Sequence, residues 1–211
     1  MVESILGTPD YLSQVATGRA QLVLGVLLSF TNGLAYIGIA VLLFPLLRQS
    51  FENLALAYVG FRVVEFFTQI LADTSSLTLL TLTEYPGLAA TTTAFGLQSA
   101  GAILLAERFW AFQMLNLIFS LSALLLYFML LCTRLVPGYI SIWGLLAATL
   151  VLLNTVLGWF NPDLGESLGM VTGLPMLLNE LFLGFWLMIR GFNLSSIASK
   201  PVPQPIPGGV R

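Results

Sequence analysis

The chain has 211 residues, 57% of them hydrophobic and only 9% charged, against about 25% charged in soluble domains. A soluble domain is excluded by that balance, and a net charge of -2 calls for no nucleic-acid partner. With no histidine, one cysteine (Cys132) and one lysine (Lys200), the sequence also excludes imidazole catalysis, an internal disulfide, the usual zinc and haem ligand sets and an intramembrane Schiff base.

Met1 to Arg19 lacks the basic start and apolar core of a cleavable signal peptide. Hydropathy then predicts five membrane spans, at residues 20–47, 54–83, 109–133, 139–160 and 170–192. The runs are too long, and too uniformly apolar, for the strands of about 10 residues that build membrane barrels. The predicted fold class is therefore all-α, a polytopic transmembrane helical bundle over residues 1–199.

The second span, which includes "YVGFRVVEFFTQILAD", carries the unusual chemistry. On a helix, Tyr58, Arg62, Glu65, Gln69, Asp73 and Ser76 fall within an arc of about 80°. Each charge placed centrally in lipid costs about 2.5 to 3.5 kcal/mol, so the stripe must face protein or water. Arg62 and Glu65, three residues apart, are positioned to pair.

Between the second and third spans, Pro86 to Arg108 is rich in threonine, glycine and alanine. It reads as an external loop followed by an interfacial helix with Leu97, Leu104 and Leu105 toward the membrane. Glu107, Arg108 and Trp110 read as interface anchors. In the last span, Gly165, Gly169 and Gly173 form a small-residue stripe suited to close helix packing, and Pro175 precedes Asn179 and Glu180. At 1.5 Å per residue, Glu180 lies at about the same depth as Arg62 and Glu65. The expectation is that Arg62 bridges Glu65 and Glu180, with Asn32, Asn116, Asn154 and Asn179 as further polar groups. Residues 200–211 alternate proline with other residues, which favours an extended solvated tail.

Basic residues concentrate in alternate loops, at Arg48, Arg134, Arg190, Lys200 and Arg211, while Glu3, Asp10, Glu84, Glu107, Asp163 and Glu166 lie on the other side. The positive-inside rule then predicts an outside N-terminus and a cytoplasmic C-terminus. No nucleophile elbow, metalloprotease helix, phosphate loop or paired-cysteine spacing is present. Neither an enzyme nor a cofactor or metal site is expected.

"FPLLR" at residues 44–48, "LALAYVGFRVVE" at 54–65, "RLVPGYISIWGLL" at 134–146 and "NELFLGFWLMIRGF" at 179–192 together resemble a bacterial membrane-protein family known as domain of unknown function 4386. The resemblance implies that Arg62, Glu65 and Glu180 are recurrent motif positions and that the protein resides in the bacterial inner membrane. It also implies a further hydrophobic helix ahead of "PDYLSQVA", which this sequence lacks. Two functions follow as expectations. An accessory or structural subunit of a larger membrane complex, packed on a membrane-protein partner, requires a dry, fully paired triad. A small carrier or ligand-binding membrane protein requires a cavity reaching Arg62, Glu65, Asp73 and Glu180.

Overall fold

The computed structural model describes Leu6, residues 11–84 and residues 94–193. The proline-rich tail and most of the external loop lie outside the described residues. Among the described residues five helices have defined bounds: α1 (Tyr11–Thr17), α2 (Arg19–Glu84), α3 (Ala94–Thr133), α4 (Gly138–Phe160) and α5 (Pro162–Arg190). Among the described residues there is no strand, and α2 to α5 are long and apolar enough to cross a membrane. The all-helical membrane bundle expected from composition is what forms.

As one rod, α2 would extend about 99 Å, some three times the hydrocarbon thickness of a bilayer. It does not run straight. Phe51 has non-helical torsions (φ -145, ψ 65), and the chain doubles back there, within the polar "RQSFEN" that ends the first apolar run. The two legs, residues 19–50 and 52–84, lie antiparallel. Arg19 pairs with Glu84 at 2.8 Å at their open end, Phe30 meets Phe66 with ring centroids 5.2 Å apart, and Arg62 lies over the Tyr36 ring. Gly33 lets the legs approach here, since a Cβ on it would meet the Phe66 ring and force that ring to shift. The legs match the expected spans 20–47 and 54–83.

One boundary differs from expectation. Residues 94–108 are not a separate interfacial helix; they continue without a break into the span that follows. Alanine and leucine sustain helical propensity across the join, and no proline or glycine interrupts the chain between residues 102 and 133. Leu104 and Leu105 turn inward onto Val15, Leu22 and Leu79 rather than outward to lipid. With 40 residues, α3 is about 60 Å long, so its first turns stand beyond the hydrocarbon layer, where Tyr11 of α1 packs on Gly101.

The helices pack mainly in chain order, α1 on α2, α2 on α3, α3 on α4 and α4 on α5. The turn after α3 is tight: Arg134 adopts the left-handed conformation (φ 53) that ends the helix. The amide of Asn193 donates to the carbonyl of Leu135 at 2.9 Å, which ties the end of α5 to this turn. At the opposite end Asn161 alone joins α4 to α5, accepting from Leu164 N at 3.2 Å as an N-cap, with Pro162 as the first helical residue. The crossing is so close that a Cβ on Gly165 would stand 2.5 Å from the Gly158 Cα. Gly169 and Gly173 have nothing within 4 Å of such a Cβ, so only the first glycine of the expected stripe serves packing. Leucine and phenylalanine side chains cover the outer surface, as a lipid-facing bundle requires.

Candidate functional site

All six residues of the polar stripe on the second leg of α2 are buried. They divide into two groups by what they face.

The first group centres on Arg62, 6% exposed, and Glu65, 2% exposed. One guanidinium nitrogen, Nη1, donates to both carboxylate oxygens of Glu65, at 3.1 and 3.0 Å. The Ser122 hydroxyl of α3 donates to Glu65 Oε2 at 3.5 Å. Three rings, Tyr36, Tyr58 and Phe119, each stand 5.5 Å from the Arg62 carbon. Such contacts favour a desolvated cation by about 2 kcal/mol, and with the ion pair they offset the cost of burying the charge.

Glu180 occupies a different position from the one expected. Arg62 makes its ion pair with Glu65, and no ion pair joins it to Glu180 among the described residues. Because α5 packs chiefly on α4, it stands away from α2 and leaves a cavity of about 260 Å³ between them. Arg62, Tyr36 and Tyr58 form one wall, Tyr127 of α3 another, and Glu180 with Leu183 and Gly184 the third. Glu180 feels the charge of Arg62 across this space and that of Glu65 behind it. The cavity extends past Leu43, Leu130 and Leu187 to Phe192, at the end of the bundle that holds Arg134 and Arg190.

The second group is closed. Gln69 Nε2 donates to Ser29 Oγ at 2.7 Å, on the first leg of α2, and to Asp73 Oδ2 at 3.4 Å. Arg108 of α3 donates to Ser76 Oγ at 2.7 Å and to the carbonyl of Ala72 at 3.2 Å, and its carbon lies 4.5 Å from the Phe112 ring centroid. Arg108 is 5% exposed, so it is a buried clamp and not the interface anchor its sequence context suggests. Asp73 is buried in this group and does not line the cavity.

Asn179, next to Glu180, points elsewhere: its Nδ2 donates to the carbonyl of Ile140 at 3.0 Å, fastening α5 to α4. Asn154 donates to the carbonyl of Gly165 at 3.1 Å, and Asn32 to the Tyr36 hydroxyl at 3.4 Å. Asn116 lies with Asn154 along a separate cleft between α3, α4 and α5. None of these asparagines joins the Arg62 pair. Of the cavity's tyrosines, Tyr58 belongs to the expected stripe, whereas Tyr36 and Tyr127 were not expected. Tyr127, a lone hydroxyl within "LLLYFMLL", was the one signal of the third wall that the sequence held.

Chemically, the cavity combines a cation already neutralised by Glu65 with a second carboxylate that has no charged partner in contact among the described residues, and three aromatic faces. No group of three or more acidic or cysteine side chains placed to hold a metal occurs among the described residues. No curated protein and no solved structure matches the chain. A family model does, over residues 1–191, under the description "Domain of unknown function (DUF4386)". With nearly the whole chain matched, this membrane-spanning helical protein belongs to that family.

Proposed function

We propose that the protein is a small ligand-binding membrane protein or carrier, and that its ligand is an amphiphile with a cationic or strongly hydrogen-bond-donating head. The observation that carries this reading is the cavity with Arg62 on one wall and Glu180 on the facing one, where only Arg62 has its counter-ion in contact. Two carboxylates against one guanidinium leave an excess negative charge. In a low-dielectric setting that excess is costly unless a proton or a cation accompanies it. A ligand ammonium beside Glu180, against the faces of Tyr36 and Tyr127, supplies the missing charge. The apolar remainder of the cavity, from Leu43 to Leu187, suits a short hydrocarbon tail.

An accessory-subunit role is a second assignment: it calls for a fully paired triad, and Glu180 stands apart from the pair, while the cavity reaches Arg62 and Glu180 but is not lined by Glu65 or Asp73. We place the protein in the bacterial inner membrane with the Arg48, Arg134 and Arg190 end in the cytoplasm, on the strength of the positive-inside rule.

Thermal unfolding of the protein in proteoliposomes tests the reading, with hexylamine, hexanol and hexanoate as probes. Hexylamine is expected to raise the midpoint more than hexanol, hexanoate is expected to have no effect, and Glu180→Gln is expected to bring the amine response down to that of the alcohol. Equal responses to all three probes, or an amine response that survives Glu180→Gln, would overturn the assignment.

A further inference from the structure

The basic end of the bundle carries a second concavity that the ligand cavity does not explain. The turn after α3 and the end of α5 enclose a cleft of about 650 Å³. Arg134 stands on one side and Arg190 on the other, with Pro137, Gly138, Trp186 and Asn193 between them. Both arginines are exposed, and neither has an acidic partner among the described residues. Leu194 to Arg211, the chain that continues from this rim, contains no aspartate or glutamate. The amino end of α4 opens into the same cleft, but so do the carboxyl ends of α3 and α5, whose dipoles oppose it, so the positive charge of the cleft comes from the two arginines.

Adjoining the cleft, and sharing Trp186 and Arg190 with it, is a groove of about 290 Å³. Phe182, Phe185 and Ile189 line it, so its walls are almost wholly apolar. Trp186 stacks on Phe182 and meets Tyr139 edge-on, with ring centroids 6.4 Å apart in both pairs. That places amphipathic rings at the boundary between the two spaces, the depth at which tryptophan and tyrosine settle in bilayers. A charged recess opening directly onto a hydrocarbon groove is complementary to a molecule with an anionic head and a long apolar chain.

We propose that this end of the protein is a specific site for an anionic phospholipid. The phosphate sits between Arg134 and Arg190, and one acyl chain lies along Phe182, Phe185 and Ile189. Arginine suits this role because its planar fork grips phosphate oxygens in pairs. The cleft meets the Arg62 and Glu180 cavity at Phe192, but neither proposal requires the other.

The test is native mass spectrometry of the full chain released from nanodiscs holding equal amounts of dioleoyl-phosphatidylglycerol and dioleoyl-phosphatidylcholine. A basic side chain in contact with the headgroup favours an anionic lipid by about fivefold, so the two arginines of the cleft predict retention of phosphatidylglycerol by about 30-fold. Retention is expected to fall to near parity in R134Q/R190Q and to persist in R48Q, which removes a charge from the same end but outside the cleft. Equal retention of the two lipids by the unmodified protein would overturn the proposal, and that measurement requires no variant. A preference that survives R134Q/R190Q would do the same. Displacement of phosphatidylglycerol by millimolar inorganic phosphate would show a simple anion site with no use for the groove, and would also overturn it.

Discussion

The two halves of the stripe on α2 look alike in sequence and differ in their surroundings. Gln69, Asp73 and Ser76 face the first leg and α3, where Ser29 and Arg108 meet them. These bonds join the second leg to the first leg and to α3, so this half does what polar groups in membrane helices commonly do and fixes which helix lies where. Arg62 and Glu65 begin in the same way, with an ion pair and three rings. They end at a cavity, because the helix expected to close over them is held on α4 by Asn179 and by the Gly158–Gly165 crossing. Burial of charge alone thus does not mark a site. What distinguishes the upper half is a second carboxylate across an open space.

The largest effect that can sharpen this contrast is removal of Glu65. In Glu65→Ala the Arg62 charge stays buried with no counter-ion in contact, and a broken buried pair costs about 3 to 5 kcal/mol. Thermal or denaturant unfolding in mild detergent is expected to show a loss of that order. Recovery in Arg62→Met/Glu65→Met would identify the uncompensated charge as the cause. A loss below about 1 kcal/mol would mean that Glu180 or water takes over the role of Glu65, and the pair would then no longer differ from an exposed one.

In the closed half the expected cost is smaller, because Asp73 keeps the charge of Arg108 nearby when Gln69 is lost. Gln69→Leu removes the donor to Ser29 and Asp73, leaving acceptors short of partners at about 1 to 3 kcal/mol. The loss is expected to leave hexylamine binding unchanged, since none of these side chains lines the cavity. A changed amine response would show that the two halves communicate.

Much of this arrangement was legible in the sequence. The apolar runs set the helices, the helical period set the stripe, and the three-residue spacing set the Arg62–Glu65 pair. Residues whose partners lie far along the chain were not legible. Arg108 beside Glu107 and Trp110 has the composition of an interface anchor; only the fold, by starting α3 at residue 94, ahead of the expected span, and laying it on α2, brings it within reach of Ser76, 32 residues away. Glu180 was placed at the right depth, yet depth along a helix says nothing about lateral separation. That separation is set by Gly158 and Gly165, at the opposite end of α5, and by the bond from Asn179 to Ile140, neither of which the spacing of charges reveals.

Glu180→Gln carries the smallest expected effect on stability, and for that reason it divides the two halves most cleanly. Among the described residues the carboxylate has no ion-pair or hydrogen-bond partner to lose, and the replacement amide is nearly isosteric. Glu180 is an exposed side chain that faces Arg62 across the cavity. The net change in unfolding free energy is expected within about 0.5 kcal/mol, the range of substitutions that break no packed contact. A side chain that stabilised the bundle as Glu65 does would cost several times more. If Glu180→Gln unfolds the protein as readily as Glu65→Ala, then Glu180 is part of the clamp, the cavity closes in the membrane, and the stripe has one function along its whole length.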